Sequence, residues 1–131
     1  MVLIPFQSEG EEDETLMNKI IEQCRAKEYI SLYKGSDILN RFSGAGLVIG
    51  MRLHSLIFAA ITGTPMIAIN YSDKVKNFMS DMGLENYLIN PEEIDKLPEL
   101  TAKTLRHHPT TKDKTEELRK LLYSSSLKLA L

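Results

Sequence analysis

The chain has 131 residues, 43% hydrophobic and 26% charged, the size and make-up of one globular domain with little room for two. Its formal charge is −2, which disfavours a strongly basic nucleic-acid binder, and the absence of Trp removes the usual stacking platforms for bases or sugars. The one cysteine, Cys24, excludes an intrachain disulfide framework and a multi-cysteine zinc site. No apolar run approaches the roughly 20 residues of a membrane span. No charged stretch leads into a small-residue cleavage site, so a reduced, cytoplasmic setting is expected.

Along the chain, short apolar runs alternate with longer amphipathic stretches. Val2–Phe6 reads as a buried strand, and the acidic run Ser8–Glu14 opens a helix, where carboxylates face the positive end of the dipole. Leu16, Ile20, Ile21 and Cys24 continue it at helical spacing. Tyr29–Tyr33 is a second strand, and Ser36 caps a short helix through Phe42. Gly46–Gly50 is a third strand. A helix follows over Arg52–Ile61, with a stripe of Leu53, Leu56, Ile57 and Ala60, and Gly63-Thr64-Pro65 stops it. Met66–Tyr71 is a fourth strand. Ser72 or Asp73 caps the next helix, whose stripe is Val75, Phe78, Met79 and Met82. Tyr87–Ile89 gives a short fifth strand and Asn90-Pro91 a helix start. Helix continues to a break near His107-His108-Pro109, and a last helix carries Leu118, Leu121 and Leu122. Strands that are apolar throughout need cover on both faces, and helices between them provide it. The expected class is α/β: a Rossmann-like, doubly wound parallel sheet of about four to five strands.

In such sheets ligands bind beyond the carboxyl ends of the strands, against helix N-termini. The third junction, Gly50-Met51-Arg52-Leu53-His54-Ser55, is the one whose polar residues the fold does not need. Arginine is a poor choice at a helix N-terminus unless an anion compensates it. Its planar fork suits carboxylate or phosphate, so Arg52, His54 and the free amides form a candidate anion site. The plainer reading pairs Arg52 with a local carboxylate and packs His54. At the fourth junction Lys74 adds charge, and Tyr71 either lines the cleft or is an ordinary strand-end aromatic. His107-His108 read as an exposed loop, Cys24 as a small core residue, and no metal site is expected. Gly44-Ala45-Gly46 precedes a strand, the wrong order for a dinucleotide fingerprint, and no GxxxxGK[ST] occurs.

The run from Gly46 through Val75, continuing past Phe78 to Gly83, resembles the polysaccharide pyruvyl transferases. It carries their G-x-R-L-H-x-x-I-x-A-x-x-x-G-x-P block, then a strand and Y-x-x-K-V. The opening strand with Pro5-Phe6 and the acidic helix start fit as well, so the resemblance covers roughly residues 1 to 90. It implies a two-domain, GT-B-like enzyme with its site in the interdomain cleft. It also implies transfer of the enolpyruvyl part of phosphoenolpyruvate onto a sugar of a cell-surface polysaccharide, as a pyruvate ketal, with no other cofactor. By resemblance, Arg52, Leu53 and His54 bind the donor and His54 is the candidate acid–base group. Gly50, Ser55, Tyr71 and Lys74 complete the expected substrate-binding set. The implied partners are this small donor and a saccharide or lipid-linked saccharide acceptor, which would bring the protein to the inner face of the membrane. Family members run to about twice this length. The chain is therefore expected to be most of a C-terminal, donor-binding domain whose N-terminal companion is missing, inactive alone, with a homodimer open. Two other readings compete: a nucleotide-sugar glycosyltransferase or epimerase domain of the same architecture, and a non-catalytic association module.

Overall fold

The structure is a computed structural model and describes residues 2–4, 12–23, 25, 28, 30–33 and 37–107. The chain forms two compact units, Met1–Ile38 and Leu39–Leu131. The expected α/β class is present in both: every described strand pair is parallel, the pairing that needs crossover connections such as helices. The described strands lie in two sheets, one of two strands and one of three.

In the first unit, β1 (Val2–Leu3) pairs with β2 (Ser31–Leu32) in the register Val2↔Ser31 and Leu3↔Leu32. The helix α1 (Glu12–Gln23) makes the crossover between them. The Tyr33 amide extends the ladder by donating to the Leu3 carbonyl at 2.9 Å. Pro5, Phe6, Cys24, Tyr29 and Ser36 lie outside the described residues, as do His108, Pro109 and the last expected helix.

The second unit carries β3 (Val48–Gly50), β4 (Met66–Ile69) and β5 (Leu88–Ile89), in the order β3-β4-β5. Gly50 stands level with Ala68, and Ala68 with Leu88, so the three strands end together at one edge. Helix α2 (Ile38–Ser43) leads into β3, and α3 (Leu53–Thr62) and α4 (Asp73–Asp81) follow β3 and β4. A short 3₁₀ segment, Glu85–Tyr87, precedes β5. A second, Pro91–Lys96, leads into α5 (Leu97–Arg106). His107 ends α5, where the sequence placed its break.

The central strand is covered on both faces: Met66, Ile67 and Ala68 are all buried. On the neighbouring β3, Val48 and Gly50 are buried while Ile49 is 43% exposed, so one face of this strand lies open. The stripe of α3 differs from the expected one. Ser55, Leu56, Ala59 and Ala60 are buried, whereas Leu53 and Ile57 are only half-buried. Three of the four buried residues are small, which lets the helix settle closely on the sheet. In α4 the expected Val75, Met79 and Met82 are buried and Phe78 is half-buried. Helix α3 ends at Gly63, whose φ of 68° is left-handed, and the Thr64 amide reaches back to the Ala59 carbonyl.

Thr64 ties this end of α3 to α2. Its buried hydroxyl donates to the Phe42 carbonyl at 2.7 Å and meets Thr62 Oγ1 at 2.7 Å. Phe42 also packs edge-to-face on Phe58, with ring centroids 6.1 Å apart. Thr64→Val keeps the shape but removes this donor from a buried carbonyl. It is expected to destabilise the chain by about 1–3 kcal/mol, read from the urea midpoint. No helix among the described residues is long and apolar enough to cross a membrane.

Candidate functional site

The third junction departs from ordinary helix capping. Arg52 is the N-cap of α3, with extended backbone (φ −95°, ψ 138°), and no side chain caps this end. Ser, Thr, Asp or Asn would be the usual choice. The first turn holds no acidic residue either. What fixes the turn is Ser55. Its backbone amide and its hydroxyl both donate to the Arg52 carbonyl, at 3.1 Å and 2.6 Å. Ser55 is buried, so this hydroxyl faces the turn and holds the backbone under Arg52.

Gly50 explains how Ser55 reaches that position. A Cβ on Gly50 would overlap Ser55 Oγ and lie 2.9 Å from Leu56 Cδ2. Bare backbone at the strand end is therefore what allows the first turn of α3 to lie against it. Above this seat Arg52 and His54 are exposed, Leu53 is half-buried, and Met51 is 38% exposed. The amides of Leu53 and His54, at the first two helical positions, point out of the helix start without intrahelical acceptors. A guanidinium, an imidazole and two outward amides thus stand on a rigid, buried base.

The fourth junction is capped in the usual way. Ser72 is the N-cap of α4 and its hydroxyl accepts from the Val75 amide at 3.4 Å, while Asp73 supplies a carboxylate in the first turn. Of the two candidates for that cap, Ser72 fills it. Lys74 is exposed in the same turn. Tyr71 is 67% exposed and is the last residue of a three-residue turn in which its amide donates to the Ile69 carbonyl at 2.8 Å. Because β3 pairs with β4, this junction flanks the Arg52 junction along the carboxyl edge of the sheet. The seven expected residues thus fall on two neighbouring junctions of the second unit.

With that geometry in view, the match to known families is specific. The model of the family "Polysaccharide pyruvyl transferase" matches residues 3–73, more than half of the chain. The chain belongs to the polysaccharide pyruvyl transferase family. The match takes in Gly50, Arg52, Leu53, His54, Ser55 and Tyr71 and ends just before Lys74. That family is one of transferases. No curated protein and no solved structure matches the chain.

Two polar residues at this sheet edge are not among the expected site residues, Asn90 being read only as part of a helix start. Asn70 and Asn90 follow the last residues of β4 and β5, and Asn70 Nδ2 donates to Asn90 Oδ1 at 2.9 Å. The sequence holds Ile-Asn at both 69–70 and 89–90, and the parallel pairing of the two strands brings the asparagines together. Beyond Asn90 stands the ion pair Lys96 Nζ–Glu93 Oε1, at 3.1 Å. The hydrogen bond from Lys96, and then its charge, hold the Glu93 carboxyl below its ordinary 4.5, and the same contact raises Lys96 above 10.5. A lowered carboxyl contributes at pH above 4.5 and loses that contribution as pH falls through its folded value. The pair is exposed and solvent-screened, so its effect on folding is small. The prediction is spectroscopic: the Glu93 side-chain carbon titrates below 4.5 by NMR and moves back up in Lys96→Ala.

Proposed function

We propose that this chain supplies the donor-binding half of an enzyme that transfers pyruvyl from phosphoenolpyruvate to a sugar. The observation that carries the reading is the Arg52-Leu53-His54 run at an uncapped helix start, inside the region matched by the family. Phosphoenolpyruvate carries a phosphate and a carboxylate on adjacent oxygen and carbon substituents of one small molecule. Outward amides at the start of α3, the helix dipole and a bidentate guanidinium suit such an anion.

The chemistry balances with one sugar supplying two hydroxyls. The methylene carbon of the enol takes a proton and becomes a methyl group, and one hydroxyl oxygen bonds to the central carbon. The second hydroxyl oxygen then bonds to that carbon as its bond to the phosphate oxygen breaks. One hydroxyl proton is thereby matched by the new methyl hydrogen and the other leaves on inorganic phosphate. In this scheme Arg52 holds the anionic donor and offsets charge on the departing phosphate. His54, exposed two residues further on, is the proton-transfer group, because an imidazole nitrogen can take up a proton and give it back. Gly50 and Ser55 support Arg52 from below. Lys74 adds positive charge beside them. Ketal-forming turnover is expected only when a companion domain supplies the other wall of the cleft.

Thermal-shift measurement on the chain tests the donor. Ligand that binds only the folded state raises the midpoint with concentration. Phosphoenolpyruvate is expected to raise it, and UDP-sugars to raise it no more than the matching free sugars do. A rise with UDP-sugars beyond that of the free sugars, and none with phosphoenolpyruvate, would replace this reading with a nucleotide-sugar transferase.

A further inference from the structure

The amide pair at the ends of β4 and β5 has a fixed polarity. Glu93 is an ionised carboxylate held by Lys96, so it accepts and cannot donate. Asn90 must therefore turn its NH₂ toward Glu93 Oε2, at 3.4 Å. That turns Asn90 Oδ1 toward Asn70, which must donate through its own NH₂, at 2.9 Å. The Asn70 backbone is held as well, since its amide donates to the Ile89 carbonyl at 2.8 Å. Asn70 is left presenting its carbonyl oxygen and one further N–H, in one plane and on a fixed backbone.

That pairing of donor and acceptor discriminates between ligands. A phosphate or carboxylate only accepts, and a carbonyl oxygen repels it. A hydroxyl both donates and accepts and satisfies the two functions of an amide together. Next to Asn70 stands Tyr71, two-thirds exposed. In a chain without Trp, this ring is an accessible apolar face on which the C–H side of a pyranose can lie, with its hydroxyls on the amide. The strands end level, so Asn70 is one strand and Asn90 two strands from Gly50. That places the pair roughly 5–10 Å from the Arg52 junction, the reach of a sugar ring beside a small donor.

We propose that Asn70, oriented by Asn90 and Glu93 and flanked by Tyr71, binds the hydroxyls of the saccharide acceptor. This rests on the pyruvyl-transfer reading for the word acceptor, but saccharide binding can be tested without it. The probes are a set of methyl pyranosides and N-acetylhexosamines, observed by saturation-transfer difference NMR with the full chain. Ring protons of at least one probe are expected to receive saturation. Loss of a hydrogen bond in Asn70→Ala, or of the ring in Tyr71→Ala, should weaken binding about fivefold. Asn70→Asp keeps the shape but cannot donate to Asn90, and should weaken it equally, with circular dichroism reporting that the fold is intact. Glu93→Gln frees the polarity of the chain and should weaken it less. Arg52→Ala should leave the pyranoside signal in place while reducing phosphoenolpyruvate binding. The proposal is overturned if no probe is saturated, if Asn70→Asp and Tyr71→Ala leave the signal unchanged, or if Arg52→Ala abolishes it. Failure of phosphoenolpyruvate to bind the parent chain would instead remove the pyruvyl reading and leave the saccharide result standing.

Discussion

Arg52→Ala is expected to weaken phosphoenolpyruvate binding by about tenfold to a hundredfold, the range for losing hydrogen bonds to a charged group. Arg52 is exposed and its side chain does not cap α3, so the variant removes no cap from this helix. Arg52→Lys should fall between, since an ammonium keeps the charge and loses the fork. The most telling variant is Arg52→Ser. Serine can accept from the amides of the first turn, so helix α3 should gain about 1 kcal/mol while donor binding falls as in Arg52→Ala. Opposite movement of the two quantities, one by chemical denaturation and one by calorimetry, would identify Arg52 as a residue retained against its own helix. If Arg52→Ser and Arg52→Ala bind the donor like the parent chain, Arg52 is not the donor ligand.

Gly50→Ala should destabilise the chain by about 2 kcal/mol, within the range for forcing a methyl into packed structure. The new Cβ meets Ser55 Oγ, which is engaged with the Arg52 carbonyl, and Leu56 Cδ2, which is fully buried. Neither can retreat freely. The two effects can be separated by a double-mutant cycle with Ser55→Ala. Removing the hydroxyl removes one of the two overlaps, so the double variant should be less destabilised than the sum by about 1 kcal/mol. Strict additivity, measured from urea midpoints at constant slope, would mean that Leu56 alone resists the methyl.

The α/β class was legible because its cause is local. Apolar runs such as Met66–Ile69 alternate with amphipathic ones, and parallel pairing follows from the helices between them. The Arg52 junction was legible for a different reason: arginine is the wrong residue for a helix start. The division of the strands into two sheets could not be read, because periodicity records how each strand is covered and not which strand lies beside it. The rotation of the α3 stripe escaped for a related reason. Leu53 and Ile57 are more apolar than Ser55 and Ala59, yet the close approach at Gly50 favours the smaller residues against the sheet. Ser55 shows the same limit: the sequence does not reveal that its hydroxyl supports the Arg52 carbonyl. Asn70 and Asn90 look like ordinary loop residues until the register sets them side by side.

Strand β4 is the longest of its sheet and is bonded on both sides, while β3 and β5 each have one described neighbour. Amide hydrogen exchange should reflect that position. The amides of Met66–Ile69 should be the slowest of the second unit, exchanging only when the whole unit opens. Both junctions of the sheet edge hang from this strand, one across its pairing with β3 and one directly after it. Fraying of the outer strands would therefore disturb one junction at a time, and only opening of the centre would lose both together.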